Sequence, residues 1–132
     1  MNGTILIIED NALNLELATD ILVAHQFQVL QAHTAEEGLL LARALIPDLV
    51  LIDLCLPGMD GLSATQALRH DWATRGLRIV AMTAHAMRGD EEMAIKAGCN
   101  GYLTKPINTR IFPRQISDYI RSLIPQTQGL VP

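Results

Sequence analysis

The chain is poor in the residues that staple a fold or anchor it elsewhere. Two cysteines occur among 132 residues, Cys55 and Cys99. That is too few for a disulfide framework, and neither has a Cys or His at metal-finger spacing. Aromatic residues make up 4 %, so the core must be built from Leu, Ile, Val and Ala. The formal net charge is −4 with no basic run, which argues against a grip on phosphate backbones. No apolar stretch approaches the roughly 20 residues of a membrane-spanning helix. Met1 to Thr4 lead straight into a strand pattern, with no secretory signal. The expectation is a cytoplasmic soluble protein that touches neither membrane nor nucleic acid directly.

What is present suits one domain of common size. Apolar residues reach 49 %, enough to fill a core. Short apolar runs alternate with helical patterns. Ile5 to Ile8 reads as a strand covered on both faces. Asn11 to His25 has helical spacing, with Leu15, Ala18, Ile21 and Leu22 as its core stripe. Phe27 to Ala32 is a second strand. Thr34 is placed to N-cap the next helix, with Glu37 as capping-box partner. That helix is expected to bury Leu40, Leu41 and Ala44 and to stop near Pro47.

Asp48 to Asp53 is the third strand. Pro57-Gly58 and Asp60-Gly61 mark a loop, and Leu62 to His70 is helical. Leu77 to Met82 is a fourth strand. Asp90 to Ala97 forms a helix closed by Gly98, and Gly101 to Thr104 is a short fifth strand. A last helix lies between about Asn108 and Ile124, with Phe112, Ile116, Ile120 and Leu123 on one face. Its regular part starts either at Asn108 or near Pro113. Residues 1–124 form the expected domain. The aperiodic 125–132 segment is a flexible tail, linker or tag remnant.

Five βα units without a hairpin signal imply an α/β fold: a five-stranded parallel sheet with helices on both faces. Ligands of such folds bind past the carboxyl ends of the strands. Those ends carry Glu9 and Asp10 after the first strand, Asp53 at the third, Thr83 at the fourth and Lys105-Pro106 at the fifth. If the first and third strands are neighbours, their ends lie ~5 Å apart. Two like charges at ~4 Å cost about 4 kcal/mol at an effective dielectric of 20. A hard, oxygen-loving cation removes that cost, and Mg²⁺ suits one or two carboxylates plus phosphate oxygens.

The blocks Ile8-Glu9-Asp10-Asn11, Asp53-Leu54-Cys55-Leu56-Pro57-Gly58-Met59-Asp60-Gly61, Met82-Thr83-Ala84 and Lys105-Pro106 resemble the signature segments of response-regulator receiver domains, the CheY-like superfamily of two-component signalling. The resemblance spans about residues 4–124, with the blocks in order. It implies the flavodoxin-like, doubly wound (βα)5 fold with strand order 2-1-3-4-5. It also implies that Asp53 accepts a phosphoryl group from a histidine kinase or histidine phosphotransferase. By the same resemblance, Asp10, Asp53, the backbone carbonyl of Cys55 and, through water, Glu9 would hold Mg²⁺. Lys105 would pair with a phosphoryl oxygen, next to a cis Lys105-Pro106 bond. Thr83 and Tyr102 would be the switch pair, and Cys55 and His85 would tune the lifetime of the phosphoryl group. Glu9 stands where many members have Asp, and Leu56 where Met is common.

Two partner surfaces follow. Leu13 and Leu17, with Ala24, point away from the core stripe of the first helix and are candidate contacts for a kinase or phosphotransferase. Met87, Arg88, Tyr102 and Ile107 mark a second surface near Thr83 and Lys105, suited to a downstream effector or output domain. The chain is expected to be a signalling switch, a catalyst only of its own phosphorylation and dephosphorylation. A haloacid-dehalogenase-type phosphatase would need a second Asp where Cys55 stands. A flavodoxin-like cofactor binder would need a phosphate loop where Glu9 and Asp10 repel anions.

Overall fold

A computed structural model describes residues 2–84 and 89–121. Five strands alternate with five helices: β1 Gly3–Ile8, α1 Ala12–Ala24, β2 Phe27–Ala32, α2 Ala35–Leu45, β3 Leu49–Asp53, α3 Gly61–His70, β4 Ile79–Thr83, α4 Asp90–Ala97, β5 Gly101–Thr104 and α5 Phe112–Arg121. The strands pair in parallel, in the order β2-β1-β3-β4-β5. This is the expected topology.

Side chains of one strand alternate between faces, and each face has its own core. Leu6, Ile8, Val50, Ile52, Ile79 and Ala81 pack with Ala35 and Ala42 of α2, Ala64 and Leu68 of α3 and Ala94 of α4. Ile5, Ile7, Leu49, Leu51, Val80 and Met82 pack on the other side with Leu15, Ala18 and Leu22 of α1 and Phe112 and Ile116 of α5. β3 and β4 are buried along their whole length. Their continuous apolar runs follow from having helices on both faces.

Caps set the helix starts. The side chains of Asn11, Thr34 and Asp60 accept the amides of Asn14, Glu37 and Ser63 at 2.9, 3.1 and 2.7 Å. Each satisfies one of the free N–H groups of a first turn. The Glu37 carboxylate reaches back to the His33 amide at 2.7 Å, so its reciprocal bond falls one residue before the cap.

Several expected boundaries and faces differ. Leu40 is 72 % exposed, and Ala44 is exposed as well. α2 instead buries Ala35, Gly38 and Ala42, with Leu39 and Leu41 half-buried. The helix lies so close to β1 that a Cβ on Gly38 would collide with the Ile8 side chain; only small residues fit that seam. β4 starts at Ile79 rather than Leu77, and it includes Thr83. Residues 108–111 form a turn in which the Ile111 and Phe112 amides donate to the Asn108 carbonyl at 3.2 and 2.9 Å. The regular helix begins at Phe112, so Pro113 sits in the first turn, where its missing N–H costs nothing. Leu123, Ile124 and the 125–132 segment lie outside the described residues.

Candidate functional site

Strand register brings the polar ends together. Asp53 ends β3 opposite Met82. Ile8 pairs with Ile52, so Glu9 emerges level with Asp53. Thr83 ends β4 opposite Thr104, and the next amide, of Lys105, donates to the Thr83 carbonyl at 2.7 Å. Glu9, Asp53, Thr83 and Lys105, far apart in sequence, therefore share one edge of the sheet.

Lys105 sits between two acids. Its Nζ donates to Glu9 Oε1 at 2.6 Å and to Asp53 Oδ2 at 2.9 Å. Asp53 Oδ1 accepts the Cys55 amide at 2.9 Å, and Glu9 Oε2 accepts the Asn11 amide at 3.2 Å. Glu9 is 1 % and Asp53 4 % exposed, whereas Asp10 is exposed. One ammonium thus bridges two carboxylates, and a third, Asp10, stands beside them, so acids outnumber the lysine in the cluster.

The environment splits the two buried acids. Burial pushes the Glu9 carboxyl above its usual range, and the bond from Lys105 only partly opposes this. Burial acts on Asp53 in the same direction. There the Cys55 amide and Lys105 outweigh it and hold the carboxyl below 3.8. For Lys105, burial disfavours the cation, but Glu9 and Asp53 together keep its pKa above 10.5.

The donor set fits a hard cation. One oxygen each of Glu9, Asp10 and Asp53 lies within 4.8 Å of the others. Opposite ligands of an octahedral Mg²⁺ stand about 4.1 Å apart at its usual bond lengths. Small side-chain adjustments, or a water in place of one acid, close that difference.

Gly61 supports Asp53 from behind. It opens α3, and a Cβ there would fall on the Asp53 carbonyl oxygen and 2.7 Å from Leu54 Cα. This contact and the Cys55 amide bond were not anticipated from sequence. The signal for Gly61 was its place at the first helical position, right after the capping Asp60. Leu56 is buried and Leu54 half-buried as the chain leaves the sheet.

Thr83 is buried at the end of β4. Tyr102 is half-buried and packs on the α2–α4 side of the sheet. Its hydroxyl is buried without a hydrogen-bond partner among the described residues. Burial, then Asp90 and Glu91, push its phenol above the ordinary value. The peptide bond between Lys105 and Pro106 is cis. Cys55 is exposed. Leu13 is 78 % and Leu17 43 % exposed on α1. Ile107 is half-buried beside a cleft of about 140 Å³ shared with Leu103 and Phe112. His85, Met87 and Arg88 lie outside the described residues.

Residues 5–116 match the family model of the response regulator receiver domain. The chain is 38 % identical over 120 residues to the polar-differentiation response regulator DivK of Brucella ovis, covering 91 % of this chain and 98 % of that protein. The DivK protein of Brucella anthropi matches to the same extent. Among solved structures, the receiver domain of a sensor histidine kinase from Pseudomonas aeruginosa, with a magnesium ion coordinated in its active site cleft, superposes with a TM-score of 0.84. It is 32 % identical, and the match covers 91 % of this chain and 98 % of that one. A CheY-like receiver domain protein from Methanospirillum hungatei gives 0.83 at 26 % identity, covering 96 % and 98 %. Among the described residues, no helix is long and apolar enough to cross a membrane.

Proposed function

The chain belongs to the response regulator receiver family of two-component signalling, and from that premise we propose that it is a switch operated by phosphorylation of Asp53. The observation that carries this reading is the placement of Asp53. It is a buried carboxylate at the end of a rigid strand, held on one oxygen by the Cys55 amide and on the other by Lys105.

A carboxylate oxygen of Asp53 forms the new P–O bond as the P–N bond of a kinase or phosphotransferase phosphohistidine breaks. The electron pair of that bond returns to the imidazole. Phosphoryl transfer depends on alignment and on neutralising charge. The Cys55 amide fixes the Asp53 rotamer, and its held-down pKa keeps the nucleophile ionised. Lys105 is within reach of both acids and turns to a phosphoryl oxygen as a point charge. Glu9, Asp10, Asp53 and the Cys55 carbonyl are the residues that would hold Mg²⁺. That ion, when bound, neutralises charge on the phosphoryl oxygens.

Thr83 and Tyr102 are read as the switch pair. The Tyr102 hydroxyl, buried without a hydrogen-bond partner among the described residues, supports this, because leaving a buried polar group unpaired costs free energy. The resulting shift would reach an effector through the surface around Ile107, Met87 and Arg88, with Leu13 and Leu17 as kinase contacts. Residues 1–124 form the receiver, 125–132 a tail or linker, and the setting is the cytoplasm.

Incubation with Mg²⁺ and acetyl phosphate followed by intact mass tests the proposal. A phosphate adduct is expected in the wild type and none in Asp53→Ala. An adduct that survives the substitution, or no adduct with Mg²⁺ present, overturns it.

A further inference from the structure

The arginines of the described chain fall into two groups. Arg43 pairs with Asp71 at 3.4 Å, Arg121 with Asp118 at 3.2 Å, and Arg75 lies 4.0 Å over the Trp72 ring. Arg69 donates to the Gly98 carbonyl at 2.8 Å and to Asn100 Oδ1 at 2.9 Å, and Arg78 to the Ile120 carbonyl at 3.2 Å. The guanidinium groups of Arg110 and Arg114 have no such partner among the described residues.

Both of these arginines line the same open cleft of about 260 Å³, with His25, Asn2, Ser117 and Pro113. No carboxylate lines it among the described residues. His25 Nδ1 lies 2.9 Å from the Ile21 carbonyl. A carbonyl only accepts, so Nδ1 carries the proton of that bond and orients the ring. Two cations thus share one cleft, and no side chain lining it among the described residues carries a negative charge. Asn2 and His25 place it beside the amino ends of β1 and β2. The acidic cluster lies at the carboxyl ends, so the two sites are separate.

We infer that this cleft binds a phosphate group, supplied as free phosphate or as a small phosphomonoester. Two guanidinium forks match a dianion with several acceptor oxygens better than they match a single carboxylate. Ser117 and Asn2 add neutral hydrogen-bonding groups, and Pro113 is an apolar wall. The inference does not rest on phosphorylation of Asp53.

The test is an NMR titration of the ¹⁵N-labelled full chain in EDTA with sodium phosphate and, separately, adenosine monophosphate, against sodium chloride at matched ionic strength. The expected result is saturable shifts at the Asn2, Arg114 and Ser117 amides and the arginine Nε–H signals. Charge-assisted bonds of this kind make the Arg110→Ala, Arg114→Ala double variant weaker by about tenfold or more. Arg114→Glu alone should remove binding. Tighter binding of the nucleotide supports a site that reaches beyond the phosphate; equal binding supports free phosphate. Shifts that chloride reproduces without saturation overturn the inference, as does unchanged affinity in a double variant that circular dichroism shows to be folded.

Discussion

Replacing Lys105 with Ala should expose the electrostatic strain of the acidic cluster. In the wild type, Nζ satisfies Glu9 at 2.6 Å and Asp53 at 2.9 Å, and the three side chains are 14 %, 1 % and 6 % exposed. Removing one partner of a buried pair costs roughly 3–5 kcal/mol, because the remaining charge is desolvated and alone. Here two carboxylates are left. Glu9, whose burial already favours the neutral form, relieves part of the cost by taking up a proton. About 3 kcal/mol is therefore the expected loss in EDTA, a fall of roughly 12 °C in Tm for a domain of this size.

Mg²⁺ should then act differently on the two proteins. It competes with Lys105 in the wild type and not in the variant. At 100 times its Kd, a ligand adds ~2.7 kcal/mol, so saturating Mg²⁺ restores most of the loss in the variant and raises the wild type less. Thermal unfolding by circular dichroism, with EDTA and with a Mg²⁺ series, reads both numbers. An unchanged Tm in EDTA, or equal Mg²⁺ gains in both proteins, would refute the reasoning. The pH profile gives a second check. The folded pKa of Lys105 lies above its ordinary 10.5, so its contribution is complete below that value and disappears as pH climbs through the folded pKa. Asp53 lies below 3.8, so its contribution is present above that value and lost as pH falls through the folded pKa. The alkaline loss should be smaller in Lys105→Ala than in the wild type.

Three further outcomes are expected. Gly61→Ala drives a methyl into the Asp53 carbonyl and Leu54 Cα; it should cost roughly 1–3 kcal/mol by urea unfolding and slow phosphorylation of Asp53, and a variant equal to wild type in both would contradict the close approach. Arg69 ties α3 to the carbonyls of Gly98, Arg75 and Leu77 and to Asn100 Oδ1, so Arg69→Ala should lose about 3 kcal/mol. Arg69→Lys should recover little of that loss, since an ammonium cannot reproduce the fork; full recovery by Lys would count against this network. Cys55 is exposed, while Cys99 is buried with its thiol pushed up by burial, so Ellman's reagent should titrate one thiol in the native protein and two in denaturant. Two fast native thiols would show that Cys99 is accessible.

Much of this molecule can be read along the chain. The apolar runs at residues 5–8 and 49–52 mark strands covered on both faces, because no half-exposed strand tolerates uninterrupted Ile, Leu and Val. Thr34 announces a helix start through local hydrogen bonding that needs no tertiary contact, whereas Asp60, read along the chain only as a loop residue, turns out to cap α3. The acids, the hydroxyl and the lysine of the site follow from residue type at successive strand ends. Other features depended on the packed fold. α2 carries leucines around much of its surface, so its apolar pattern did not select a face; the close approach of Gly38 to Ile8, which leaves no room for a Cβ, did. Lys105 contacts acids 96 and 52 residues away, and only the strand register brings them within 3 Å. That Arg110 and Arg114 find no partner among the described residues is likewise a property of the assembled surface. Sequence by itself determined which chemistry the sheet edge could host, since local patterns place polar groups at strand ends. Tertiary structure decided which charges are satisfied and which are left open, because the distance between side chains remote in sequence is set only when helices and sheet pack together.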